Sequence, residues 1–188
     1  MAHAPKSTAS HATVASMLAA LLWAPAHAAT SEVSPAGFLV TIRLESRATP
    51  HQFYAALSHV GNWWNKEHTW SGDAANLSLA TEASACFCER WAGGSVEHAR
   101  VVYAAKDSTL RLHGALGPLQ ALAVRGALTF AFAAKDAKTI VQVTYRVAGN
   151  AASGLDDLAA PVDGVIGEQA RRLVAYVETG NPETAAPK

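Results

Sequence analysis

The hydrophobic period of this chain switches once, close to its end. Leu155, Leu158, Val162, Ile166, Gln169, Leu173 and Val177 recur every three or four residues, the spacing of one face of a long α-helix. Gly180-Asn181-Pro182 ends that pattern, and Arg171 and Arg172 give its carboxyl half the charge that a helix dipole favours. Pro161, Gly164 and Gly167 in its first half predict a kink or a late start. Between Phe38 and Ala148 the chain instead reads mainly as strands, apart from a short helix after Thr49-Pro50, the stretch over 62–76 and a break over 114–121. A run of strands followed by a single long helix must bury its apolar faces against each other. The expected fold class is therefore α+β: a curved antiparallel sheet of about seven strands wrapped around a C-terminal helix.

The first strand is the clearest. Phe38, Val40, Ile42 and Leu44 alternate with Arg43 and Glu45, the period of a half-buried strand. Thr49-Pro50 then reads as an N-cap and first helical residue, followed by Phe53, Ala56, Leu57 and Val60 at helical spacing and a stop at Gly61-Asn62. Further strands are expected at 77–82, 85–91, 96–104, 109–113, 123–133 and 139–148. Gly93-Gly94, Lys106-Asp107 and Lys135-Asp136 supply hairpin turns between them.

Ahead of these elements, Lys6 precedes an apolar core over residues 12–24, and Ala26-His27-Ala28 follows. Charged start, short apolar core and small residues at the end make residues 1–28 a cleavable secretory signal, its apolar core too short for a bilayer span of about 20 residues. Export to a periplasm, or secretion, is the implied localisation. Residues 29–37 read as a linker, 38–180 as the domain and 181–188 as a flexible tail. The full chain balances 15 basic against 15 acidic residues, and Lys6 is the only charge within the signal. With no basic stripe, nucleic acid is not an expected partner, and no later stretch is apolar enough for stable membrane insertion.

The order of elements, with Thr49-Pro50, Trp63-Trp64, the strand at Phe87–Trp91 beside Gly93-Gly94, and the terminal helix, resembles the SRPBCC (START-like, Bet v 1-like) superfamily. Within it, the chain looks most like the branch named after the Hsp90-ATPase-activator homology domain. The resemblance implies a helix-grip fold over residues 38–179 and a hydrophobic small molecule held between sheet and helix, with cyclase or hydrolase activity in some members. It provides no shared catalytic set to carry over. An exported chain does not meet cytosolic Hsp90, so that partner is not expected, and no cofactor is implied.

Three groups of residues could carry chemistry. Cys86 and Cys88 flank Phe87, and on a regular strand their Cα atoms stand about 6.8 Å apart on one face. A disulfide between them needs a bulge or distortion. Three readings stay open: two packed thiols, a reducible disulfide, or a metal site completed by His98 or His113. Glu89 and His98 are the candidates for acid–base work, within a charged hairpin that also holds Arg90, Glu97 and Arg100. Regular alternation places His98 and Arg100 on one face. Val40, Phe87, Leu128, Phe130, Val143 and Ile166 are the expected cavity walls, with Trp63, Trp64, Trp70, Trp91 and His68 concentrated near its mouth. There is no Gly-x-Ser-x-Gly, no His-Glu-x-x-His and no phosphate-binding glycine loop. The expected function is binding of a small hydrophobic or amphipathic molecule. The alternatives are a cyclase- or hydrolase-type enzyme in the same cavity, or a thiol or metal module built on Cys86 and Cys88.

Overall fold

Gly37–Ser46 forms a strand whose Phe38, Val40, Ile42 and Leu44 are all buried, as its alternation requires. This and the other features below come from a computed structural model that describes Met1 and residues 28–184. The expected export signal falls almost wholly outside the described residues, as does the end of the tail. Most of the stretch 29–37, expected to be a linker, belongs instead to a strand, β1, over Ala28–Ser34. It pairs antiparallel with Gly37–Ser46, here β2, from Ala28 opposite Ile42 to Ser34 opposite Gly37. Helix α1 spans Pro50–Leu57. Thr49 Oγ1 accepts from the Gln52 amide while Gln52 Oε1 accepts from the Thr49 amide, a reciprocal cap worth about 1 kcal/mol.

Short 3₁₀ turns follow, and then six strands: β3 (Leu77–Leu79), β4 (Cys86–Trp91), β5 (Gly94–Ala105), β6 (Thr109–His113), β7 (Arg125–Lys135) and β8 (Lys138–Ala148). The eight strands form one antiparallel sheet in the order β1-β2-β8-β7-β6-β5-β4-β3. The C-terminal helix α2 runs unbroken over Leu155–Thr179 and packs against β1, β2 and β8, with α1 beside it. It starts ahead of Pro161, not after it. The carbonyl that Pro161 leaves without an amide partner belongs to Asp157, an exposed residue where water can serve. Arg171 and Arg172 lie before the last turn, and Arg172 Nε donates to the carbonyl of Trp63 at 2.8 Å. No helix among the described residues is long and apolar enough to cross a membrane.

Two irregularities in β5 shape the sheet. Pairing with β4 steps from Phe87–Ala99 to Cys88–Glu97, which leaves His98 as the extra residue of a bulge. Pairing with β6 steps from Val101–Leu112 to Tyr103–Arg111, which leaves Val102 over in the same way. Each bulge bends the strand and reverses which side chains face inward beyond it. Gly114 lies against the first: a Cβ there would stand 2.2 Å from the carbonyl oxygen of His98 and 2.5 Å from Ala99 Cα. Only glycine allows that approach.

Tyr145 holds the segment after Gly114 in place. Its buried hydroxyl accepts from the Leu116 amide and donates to the Gly114 carbonyl, both at 3.0 Å. Burial pushes this phenol up to about 12, opposed only by the Leu116 amide, so it stays protonated and able to donate. Tyr145→Phe leaves two backbone groups without their partner and should cost about 1.5 kcal/mol, lowering the thermal midpoint by about 3–6 °C. Tyr103→Phe, at a half-exposed position, should leave the midpoint unchanged in the same assay.

Candidate functional site

The inner face of the β4–β5 hairpin carries a buried acid–base pair. Alternation along β4 turns Phe87 and Glu89 inward, opposite Leu79 and Leu77. On β5 the bulge at His98 adds one residue, so His98 joins Ala99 on the inside while Glu97 and Arg100 face out. The expectation that His98 and Arg100 share a face is therefore corrected: the extra residue between them breaks the alternation. His98 Nε2 and Glu89 Oε2 lie 3.0 Å apart, with the histidine 6% and the glutamate 0% exposed. Glu97 and Arg100 form their own ion pair outside.

Glu89 receives two further donors. The amides of Trp70 and Ser71, in the turn before Gly72, reach its two oxygens at 3.0 and 2.5 Å. Burial works to raise its pKa, but the hydrogen bonds from Ser71, Trp70 and His98 together outweigh it and hold the carboxyl below the usual range. Burial pushes His98 the other way, below an ordinary histidine, and the neighbouring Glu89 offsets this only in part. At neutral pH the site is thus a carboxylate and a neutral imidazole whose Nε2–H donates to it. Orientation of a neutral imidazole by a carboxylate leaves the other ring nitrogen as the basic one.

An aromatic row leads away from the pair. Phe87 lies 5.0 Å from the His98 ring, Trp64 lies 5.3 Å from Phe87, Trp63 lies 5.7 Å from Trp64, and Phe130 lies 6.3 Å from Trp63. Both indole N–H groups are used locally, Trp63 to the Ala56 carbonyl and Trp64 to that of His68. The rings therefore offer only apolar surface to the interior. Val40, Leu128, Val143 and Ile166 are buried in the same core. Trp70 is half-exposed at the rim, and Trp91 is partly covered and packs over Gly94. His68 does not join the aromatic row: its Nε2 lies 3.1 Å from Glu168 of α2.

Two concavities open on the outside of the protein. One, of about 290 Å³, is lined by His51, Tyr54, Thr81, Lys106 and Asp107; the other, of about 490 Å³, includes Arg43, Thr109, Ala131 and Gln142. None of the expected wall residues, nor Glu89 or His98, lines either one.

Cys86 and Cys88 face away from this site and are joined by a disulfide, with Cα atoms 5.3 Å apart. That is well short of the regular spacing, and the strand makes the change at the bulged pairing step beside Phe87. Neither His98 nor His113 is the third donor beside the two sulfurs, because His98 points inward. Glu97 is the neighbour, and its carboxylate is engaged with Arg100. In this state the sulfurs are bonded to each other and carry no thiolate for a metal.

The Trp70 and Ser71 amides that hold Glu89 are backbone groups, with no side-chain signal in the sequence to mark them. Helical spacing places Gln169 on the inner face of α2, but nothing in that spacing singles out the one amide of the row, 2% exposed, as a site residue.

Both groups of the pair bind protons more weakly in the fold than in the unfolded chain. Unfolding therefore takes up protons once pH falls below the ordinary histidine value near 6.5, and again below the ordinary carboxylate value near 4.5. Stability should fall with pH from about 6.5 downward, and His98→Gln, which keeps a donor for Glu89, should flatten the upper part of that slope. Urea melts between pH 7 and 5 check this.

No family model matches the chain, and no curated protein matches it in sequence. Solved structures do. The Aha1 dimer from Colwellia psychrerythraea superimposes with a TM-score of 0.57 at 19% identity, over 76% of this chain and 97% of that one. CalU16 from Micromonospora echinospora gives 0.54 at 12% identity, over 85% and 88%. DynU16, from the dynemicin biosynthetic locus, gives 0.52 at 18% identity over 77% of this chain, which spans 48% of that longer protein. Sheet, α1 and the gripping α2 together show that the chain shares the helix-grip fold of these structures.

Proposed function

We propose that the chain is an exported binding protein for a small hydrophobic or amphipathic molecule, held between the sheet and α2. The observation that carries this reading is the Glu89–His98 pair, a charged and a neutral polar group enclosed at one end of an aromatic row. Ligand sites of this kind combine apolar walls with a few fixed polar groups. The DynU16 neighbour, from a biosynthetic locus, supports a small-molecule role. Export is supported by the pattern of residues 1–28 and by the Cys86–Cys88 bond, a linkage that persists in oxidising compartments.

The wall residues pack on one another, so a ligand must part them. The natural place is where half-buried Leu116 and Leu122 of the 114–123 segment and Leu158 and Val162 of α2 rest on the core. Pro161 already lacks one helical hydrogen bond there, which lowers the cost of moving that turn. Apolar contact then contributes about 25 cal/mol per Å² of ligand surface buried.

A second reading is favoured by the same pair: a neutral imidazole oriented by a carboxylate can take a proton from a bound molecule, as a cyclase- or hydrolase-type enzyme requires. The test is native mass spectrometry of the protein purified from its export compartment without reductant. A companion titration uses N-phenyl-1-naphthylamine, a neutral apolar fluorophore. The carrier reading expects an adduct that leaves on activation and saturable one-to-one uptake of the dye, with energy transfer from buried tryptophan. A bare protein that takes up no dye contradicts it. A released molecule that differs chemically between wild type and His98→Gln supports the enzyme instead.

A further inference from the structure

Resting on the carrier reading, the inner face of α2 gives a more specific result about what is carried. Leu155, Ala159, Ile166, Ala170 and Leu173 are buried along that face, and Gln169 sits among them. Its Oε1 accepts from the Asn65 amide at 2.8 Å, which fixes which end of the side chain is oxygen. The other end, Nε2, is buried and has no partner among the described residues. Its two N–H groups lie in the interior next to the segment that carries Trp64. A buried donor without an acceptor is uncommon in folded proteins, and a polar side chain placed in an apolar stripe needs a reason.

The surrounding charges narrow the acceptor. Glu168, the next residue, accepts from Asn65 Nδ2 at 2.5 Å and lies 3.1 Å from His68 Nε2, and Glu89 is the buried carboxylate along the aromatic row. Of the two cations on this stretch of α2, Arg171 is exposed on the outer side of the helix, and Arg172 is committed to the Trp63 carbonyl and to Glu183. An anionic head group in this interior would find Glu168 and Glu89 as the neighbouring charges and, among the described residues, no buried cation to pair with. A neutral carbonyl meets a donor already aimed at the interior.

We propose that Gln169 Nε2 is the polar anchor of the ligand, donating to the neutral carbonyl oxygen of an amphipathic ketone, ester or amide whose apolar part lies along the aromatic row. The acceptor on the ligand completes the amide's hydrogen bonding, while Asn65 holds the side chain in position from its other end. This makes Gln169 a selectivity residue: it favours carbonyl compounds over hydrocarbons of the same length and gives no advantage to carboxylates.

The experiment is displacement of N-phenyl-1-naphthylamine from the full folded protein by 2-undecanone, undecane and undecanoate. Wild type, Gln169→Met and Gln169→Glu are compared, each shown folded by thermal melting. Wild type should bind the ketone about 3- to 10-fold more tightly than the alkane, the size of one net hydrogen bond, and undecanoate no more tightly than the alkane. Compared at a pH high enough to ionise the introduced carboxyl, Gln169→Glu keeps the acceptor for the Asn65 amide but has no donor, so it should lose the ketone preference while still binding undecane. Gln169→Met should do the same. Equal affinity of wild type for ketone and alkane overturns the inference and leaves the carrier reading standing, as does a ketone preference that survives in Gln169→Glu. Failure of the dye and of all three compounds to bind wild type overturns both.

Discussion

Glu89 has no exposed surface, yet its surroundings hold it ionised, and that requirement organises one end of the protein. An isolated buried carboxylate would take up a proton. Here it stays charged because the turn after the 3₁₀ segments delivers two backbone amides and β5 delivers an imidazole. The imidazole reaches it only through the bulge at His98, and the bulge tolerates the following strand only because residue 114 is glycine. Tyr145 then fixes the chain beyond that glycine. A single charge thus ties β4, β5, the 70–72 turn and the 114–116 segment together, which is the reason this end of the sheet keeps one geometry.

On the other face of the same hairpin, the disulfide and the Glu97–Arg100 pair lie over the bulge. The disulfide joins residues two apart, so it closes a very short loop and removes little entropy from the unfolded chain. Its effect is local: it holds β4 contracted at the step where pairing shifts. The exposed ion pair adds little stability in water. Structure on the outer face therefore supports the inner site more by shape than by energy.

Much of the architecture follows from patterns visible in the chain. The alternation of β2, the Thr49-Pro50 helix start, the limits of β6 and the long α2 are all carried by residue spacing and turn chemistry. β1 is not, because Thr30, Ser31, Glu32 and Ser34 carry no apolar alternation; its strand form comes from the edge of β2 that it covers. The facing of His98 is also hidden, since a one-residue bulge leaves no mark in composition and reverses inward and outward beyond it. The distortion that a Cys86–Cys88 bond demands was readable from spacing, but which strand absorbs it was not. Of the site, Glu89 and His98 were visible as residues, while the amides that keep Glu89 charged belong to backbone and have no side-chain signature.

The central claim is that Glu89 and His98 form an enclosed carboxylate and neutral imidazole. ¹⁵N NMR of the His98 ring across pH 7 to 5 tests it most directly. The account predicts one fixed tautomer with the proton on Nε2, persisting below the ordinary histidine value near 6.5. A His98 ring that protonates at or above that ordinary value, or exchanges between tautomers, would contradict it.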